Sequence, residues 1–169
     1  RPIYIAPVWD RASLTATALR LEDVEAAYAA YPEAKVLVVT YPNYYGMAGA
    51  DLEAIISFCH DKGIVVLVDE AHGAHFVLGS PYPPSALDLG ADAVVQSAHK
   101  SLPAMTMGSF LHVQGQLLDA GKIRKYLRML QSSSPSYLIM ASLDDARSFV
   151  QTYSQPDKRS FEDKRRQFL

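Results

Sequence analysis

Lys100 lies in Ser97-Ala98-His99-Lys100, just past a short apolar run, and Asp69 ends another in Val68-Asp69-Glu70-Ala71-His72-Gly73. An amine and a carboxylate become a reactive pair when a fold brings both to one edge. The amine can condense with an aldehyde to a Schiff base, and the carboxylate can keep a ring nitrogen protonated. Those two tasks are the least that pyridoxal phosphate needs from a protein to serve as an electron sink. Ser97 and His99 add a hydroxyl and an imidazole, both able to donate to a phosphate. His72, close after Asp69, adds a second imidazole.

The same stretch holds zinc-ligand types, in Glu70, His72 and His75, with His99 further on. His72 and His75 sit beside Gly73, off any confident helix, and the HExxH spacing is absent. No metal is assigned. His60 and His112 receive no role. Tyr44 and Tyr45 read as loop and packing residues, although Asn43 or Tyr44 is placed to border a cofactor.

Four apolar runs can carry these groups. Lys35 to Thr40 (KVLVVT) and Ile64 to Val68 (IVVLV) are rich in β-branched residues, followed by Ala93 to Gln96 (AVVQ) and Gly108 to Val113 (GSFLHV). None alternates with polar residues, which argues for a parallel sheet covered on both faces. Between them, Leu21, Val24, Tyr28 and Tyr31 recur at helical spacing, as do Leu52, Ile55, Ile56 and Cys59. Asp51 suits the positive end of the second helix, and Gly63 suits its far end. Prolines 81, 83 and 84 mark a loop that leads to a short turn near Ser85–Leu89. After Gly115 the chain turns helical. Ala120, Ile123, Leu127 and Leu130 form a stripe among Lys122, Arg124, Lys125 and Arg128, which read as a solvated face. A break at Ser132–Pro135 precedes another helix through Leu143, Ala146 and Val150. The expected fold class is α/β: part of a mixed, mostly parallel sheet flanked by helices, with C-terminal helices. Such sheets bind ligands at the carboxyl ends of their strands.

With 169 residues, 49% of them apolar, the chain can bury one core. Sixteen basic and 18 acidic residues give a net charge of −2, which points to neither nucleic acid nor an anionic membrane. Cys59 is the only cysteine, so no intrachain disulfide forms. Arg1–Trp9 does not read as a signal peptide, since it lacks a long apolar stretch and a small-residue cleavage site. A cytoplasmic location is expected. Both ends read as cut from a longer protein.

Nearly the whole chain resembles the major domain of the bacterial ornithine/lysine/arginine decarboxylases, which are fold-type-I enzymes that use pyridoxal phosphate. Asp69-Glu70-Ala71-His72-Gly73-Ala74-His75 and Ser97-Ala98-His99-Lys100-Ser101-Leu102 carry the resemblance. Tyr41-Pro42-Asn43-Tyr44-Tyr45-Gly46 and Ser134-Pro135-Ser136-Tyr137 fit it too. The resemblance implies a large domain like that of the pyridoxal-phosphate transferases and α-decarboxylation of a basic amino acid, within amino-acid metabolism and polyamine biosynthesis. Lys100 would form the internal aldimine, and Asp69 would pair with the pyridinium nitrogen. Ala71 would pack on one ring face, and His72 would sit near the ring hydroxyl or the substrate. Ser97 and His99 would contact the phosphate. Ser133 and Ser134 would reach the phosphate of a neighbouring subunit, which implies a homo-oligomer, a dimer or larger.

Residues 1–169 would then be a partial large domain. The family's Gly/Ser/Thr-rich phosphate cup, its ring-stacking histidine and its small C-terminal domain are missing, so the isolated chain is expected to be a poor catalyst. The Asp–Lys pair equally serves transamination, because the cofactor does the hard step in both. A non-catalytic cofactor-binding or dimerisation module is the remaining alternative.

Overall fold

The structure, a computed structural model, describes residues 2–168. A small antiparallel hairpin comes first, with β1 at Trp9–Asp10 and β2 at Thr15–Ala16. Then follow α1 (Leu21–Ala30), β3 (Val36–Thr40), α2 (Leu52–Asp61) and β4 (Val65–Asp69). A 3₁₀ turn at Ala74–Leu78 leads on to β5 (Ala93–Gln96), the single-turn α3 (Ala98–Ser101) and β6 (Phe110–Val113). Three helices close the chain: α4 (Ala120–Leu130), α5 (Tyr137–Thr152) and α6 (Gln155–Gln167).

The main sheet has the order β3-β4-β5-β6. β3, β4 and β5 run parallel, and β6 returns antiparallel to β5. The expectation of a mixed, mostly parallel sheet with flanking and C-terminal helices is met. Register decides which groups share a face: Thr40 pairs with Asp69, Asp69 with Val95 and Val95 with Leu111. Successive side chains alternate across the sheet. Asp69 therefore shares a face with Leu67 and Val65, while Glu70 joins Val66 and Val68 on the other.

That other face is the core. Leu52, Ile55, Ile56 and Cys59 of α2 are all buried against Val39, Val66, Val68 and Val94, joined by Val24 of α1. Burying a side chain of this size stabilises by roughly 1.5–3 kcal/mol, so the α2 stripe anchors the sheet. Tyr28 and Phe58 lock α1 to α2 edge to face, with ring centroids 5.8 Å apart. Asp51 does not cap its own helix. Its carboxylate accepts from Leu21 N at 3.1 Å and pins the start of α1. Gly63 ends α2 at φ +68°, a left-handed conformation that favours glycine.

The expectation of a sheet covered on both faces is corrected within this chain. Helices α1 and α2 cover one face, but on the opposite one Val36 is 50%, Val38 68% and Val95 44% exposed. Unbroken apolar runs specify two dry faces without specifying which segment dries them. The α4 stripe differs in the same way. No residue of α4 is buried, and Leu130 is 85% exposed. A second small core of Ala74, Leu102 and Ala146, with Phe110 and Val150 against it, packs α5 onto the segments that follow His72 and Lys100. Among the described residues no helix is long and apolar enough to cross a membrane.

Candidate functional site

Because β4 and β5 are adjacent and parallel, their carboxyl ends lie side by side. The segment after β4 folds at once into a turn, with Gly73 N donating to Glu70 O at 2.9 Å. A Cβ on Gly73 would stand 2.6 Å from Glu70 Cγ, so only glycine fits there. Asp69 is exposed at the strand end, and its Oδ1 accepts from Ala71 N at 3.1 Å. This bond aims the carboxylate, which forms no salt bridge among the described residues.

After β5 the chain makes one helical turn, in which Lys100 N donates to Ser97 O at 3.1 Å and Leu102 N to Ala98 O at 2.8 Å. Ala98 is fully buried, so the turn is seated on the core and presents Lys100 outward. Lys100 Nζ stands 3.4 Å from His72 Nε2, a contact that joins the two loops. Tyr44 packs edge to face on the His72 ring, with centroids 5.7 Å apart. Gly108 O accepts from both His99 N (3.2 Å) and His99 Nδ1 (2.9 Å). The proton is thereby held on Nδ1 by the carbonyl. Ser97 precedes the turn as its cap residue, yet its hydroxyl makes no capping bond.

Lys100, His72, Asp69, Ala71, Ser97 and His99 thus sit on two neighbouring loops at one sheet edge. Ser133 and Ser134 do not join them. They are exposed between α4 and α5, where Ser134 N donates to Ser132 Oγ at 3.2 Å. Asn43 is occupied in holding its own loop: Nδ2 donates to Ala16 O and Thr17 O, and Oδ1 accepts from Tyr45 N and Met47 N. The zinc-ligand types serve different neighbours, since His72 meets Lys100 whereas His75 packs against Phe76 and Tyr82.

These residues fit pyridoxal phosphate. The set contains an outward amine, a carboxylate on the adjacent strand end with no cation partner among the described residues, a small side chain at Ala71 and a hydroxyl at Ser97 free of capping. Glu70, which the sequence offered only as a zinc-ligand type, lies directly beneath with its hydrogen-bond partners. Glu70 is fully buried, and burial pushes its carboxyl above the usual carboxylate range against the pull of three donors. The signal was available, because a strand that points Asp69 outward must point Glu70 into the core.

His75 gives a pH prediction. Burial lowers its pKa, and its Nδ1 has no hydrogen-bond partner. A histidine held neutral in the fold resists a proton that the unfolded chain accepts below about pH 6.5. Stability present above that pH is therefore lost as pH falls through the lower folded value. The thermal midpoint of His75→Phe, which keeps the ring contacts, should fall less between pH 7 and 5 than that of wild type. An unchanged acid slope would contradict the assignment.

Comparison with known proteins bears on the family and the fold. Residues 1–164 match the family described as Orn/Lys/Arg decarboxylase, major domain. An uncharacterized protein of Bacillus subtilis, YaaO, is 56% identical over 160 residues, 94% of this chain and 33% of that protein. An arginine decarboxylase of Halalkalibacterium halodurans is 40% identical over 151 residues, 89% of this chain and 30% of its own length. The chain thus spans about a third of the length of these relatives. Among solved structures, an alanine–glyoxylate aminotransferase from Nostoc superposes with a TM-score of 0.61 at 15% identity, covering 83% of this chain and 40% of the other. That likeness is one of fold.

Proposed function

The chain belongs to the Orn/Lys/Arg decarboxylase major-domain family, and on that premise we propose that its parent protein is a pyridoxal-phosphate-dependent carboxy-lyase. It removes the α-carboxylate of a basic amino acid: ornithine, lysine or arginine. One observation carries the reading: adjacent parallel strands bring Asp69 beside the loop of Lys100, whose Nζ reaches His72 at 3.4 Å.

When bound, pyridoxal phosphate supplies an electron sink for the α-carbon. Lys100 holds the cofactor covalently through its amine. Asp69 keeps the proton on the ring nitrogen, and its bond from Ala71 N fixes where that charge points. Ala71 leaves room for one ring face. His72 stands between Lys100 and Tyr44, where it can take or give a proton at Nε2. Ser97 and His99 hold the phosphate. On this reading residues 1–169 form part of the cofactor-binding large domain, and a phosphate cup and a closing small domain would lie elsewhere in the parent. The chain alone is accordingly a poor catalyst. A cytoplasmic location goes with the same reading.

The parent is also proposed to be a homo-oligomer, with Ser133 and Ser134 reaching a phosphate in a second subunit. The exposed apolar residues on either side support this, with Leu130 85%, Tyr137 85% and Leu138 71% exposed. A surface of that kind favours burial against a partner.

The test is the full-length parent, supplied with pyridoxal phosphate and each of the three basic amino acids. Carbon dioxide and the matching amine should appear with at least one of them. Amino-group transfer to a 2-oxo acid without carbon dioxide would instead make it an aminotransferase. A coloured but inert protein would be a binding module. The phosphate role has its own check. His99→Ala should raise the cofactor dissociation constant about tenfold, the scale of one lost charge-assisted hydrogen bond. Turnover at saturating cofactor should change by no more than about threefold. Equal affinity in mutant and wild type would remove His99 from the phosphate.

A further inference from the structure

Directly behind the candidate site, on the core face of the sheet, three side chains form a continuous hydrogen-bonded line across three strands. Glu70 Oε2 accepts from Gln96 Nε2 at 2.5 Å, and Gln96 Oε1 pairs with His112 Nε2 at 3.1 Å. The Gln96 carbonyl oxygen can only accept, so His112 carries its hydrogen on Nε2. Glu70 also accepts from Ser85 Oγ (2.9 Å) through Oε2 and from Ala86 N (2.7 Å) through Oε1. Glu70 is 0% and Gln96 3% exposed. A carboxyl this deep is held by its donors alone, and charge-assisted bonds in such surroundings are short and directional.

Position gives the line its meaning. The β4–β5 backbone ladder ends where Glu70 N donates to Val95 O at 2.8 Å. Beyond that rung, Ala71 leads into one loop and Ser97 into the other. Glu70 is the neighbour of Asp69 in the chain, and Gln96 is the neighbour of Ser97. A bond between Glu70 and Gln96 on the core face therefore lies one residue from each of the two loops that bear Asp69 and Lys100. Gly73, packed onto Glu70 Cγ with no room for a side chain, ties the turn bearing His72 to the same anchor. Apolar side chains of equal volume would fill the space, but they would not fix the relative rise and tilt of the two strand ends.

We propose that Glu70, Gln96 and His112 form a buried positioning strut that sets the distance between the Asp69 loop and the Lys100 loop. The proposal rests on the roles given to Asp69 and Lys100 above. None of the three strut residues touches the cofactor. They act through the backbone, and a misplacement of about 1 Å at a reacting centre costs on the order of a hundredfold in rate.

The experiment uses the full-length parent with three variants: Glu70→Gln, Gln96→Glu and the double exchange of both. Gln96→Glu sets carboxylate against carboxylate across the central bond, and Glu70→Gln must turn its amide nitrogen toward either Gln96 Nε2 or Ala86 N, so one donor always faces another. The exchange restores one donor facing one acceptor, with polarity reversed, and leaves an acceptor for His112. Each single variant should lower kcat about tenfold to a hundredfold, with KM within about threefold. The visible circular dichroism of the bound cofactor should fall as well. In cofactor-free protein, amide exchange of segments 70–73 and 97–102 should speed up. The exchange variant should recover all three. Gln96→Met, which removes the same bonds at similar volume, replaces any single variant that does not accumulate. The strut is refuted if the single variants lose only thermal stability, with kcat, dichroism and amide exchange unchanged, or if the exchange variant stays as impaired as the worse single one. A wild-type parent that binds no cofactor would sink the functional reading instead. The amide-exchange comparison would still decide on the strut.

Discussion

Lys100→Ala should leave a full-length parent that cannot hold pyridoxal phosphate covalently, and turnover should fall by at least about a thousandfold, the scale of losing a positioned nucleophile and proton carrier. The effect is large because nothing nearby can substitute. Lys100 is the amine that meets the Asp69 loop, 3.4 Å from His72, and an imidazole does not replace a primary amine in condensing with an aldehyde. Lys100 is exposed on a turn whose internal bonds are all main-chain, so removing its side chain should cost little stability. Lys100→Arg separates charge from reactivity, since it keeps the cation but cannot condense. It should be as inactive as the alanine variant. A turnover within tenfold of wild type in either variant would mean that another residue carries the link. Spectra and rates of the purified variants provide the check.

Asp69→Asn should retain the coloured cofactor and yet lose about a hundredfold or more in turnover, comparable to removing one preorganised electrostatic partner of a transition state. The substitution is informative because an asparagine Oδ1 can still accept from Ala71 N, the bond that shapes the turn. Geometry is kept while the negative charge is removed. The pyridine nitrogen then loses the partner that favours its protonated form, and the sink weakens without the cofactor leaving. Near-normal turnover in this variant would reduce Asp69 to a cap on the end of β4. Titrating the cofactor absorbance alongside kcat distinguishes the two outcomes.

The parts of this fold that the sequence made legible are those where one physical signal had one meaning. Runs rich in β-branched residues at Lys35–Thr40, Ile64–Val68, Ala93–Gln96 and Gly108–Val113 became β3 to β6 within two residues at each end. The stripe Leu52, Ile55, Ile56, Cys59 became the buried face of α2. Asp69 and Lys100 could be placed at one edge because both follow such runs. Direction was less legible. Phe110–Val113 carries no sign of its orientation. It runs antiparallel because Ser97–Ser109 contains one helical turn and no covering helix of the kind that usually carries a chain over to a parallel strand.

Apolar patterns also overstated what this chain buries by itself. Val38 and Leu130 belong to well-formed apolar rows, but both are exposed, because a pattern states what should be dry and not what dries it. The buried line beneath the site was missed for the opposite reason. Glu70, Gln96 and His112 are polar residues far apart in the sequence, and read singly none points to the other two. Only the alternation of β4 and the pairing of β5 with β6 bring them together. Ser133 and Ser134 rested on resemblance alone, and their exposed connection makes no hydrogen bond to the cluster among the described residues.

Borohydride reduction of the coloured full-length protein, followed by peptide mapping, tests the central claim most directly. Reduction makes the link between cofactor and protein permanent, so the labelled peptide identifies the amine. One cofactor equivalent per chain is expected, on Lys100, with loss of the visible absorbance. A label on Lys62, Lys122 or any other lysine, or a protein that takes up no label after incubation with pyridoxal phosphate, would contradict it.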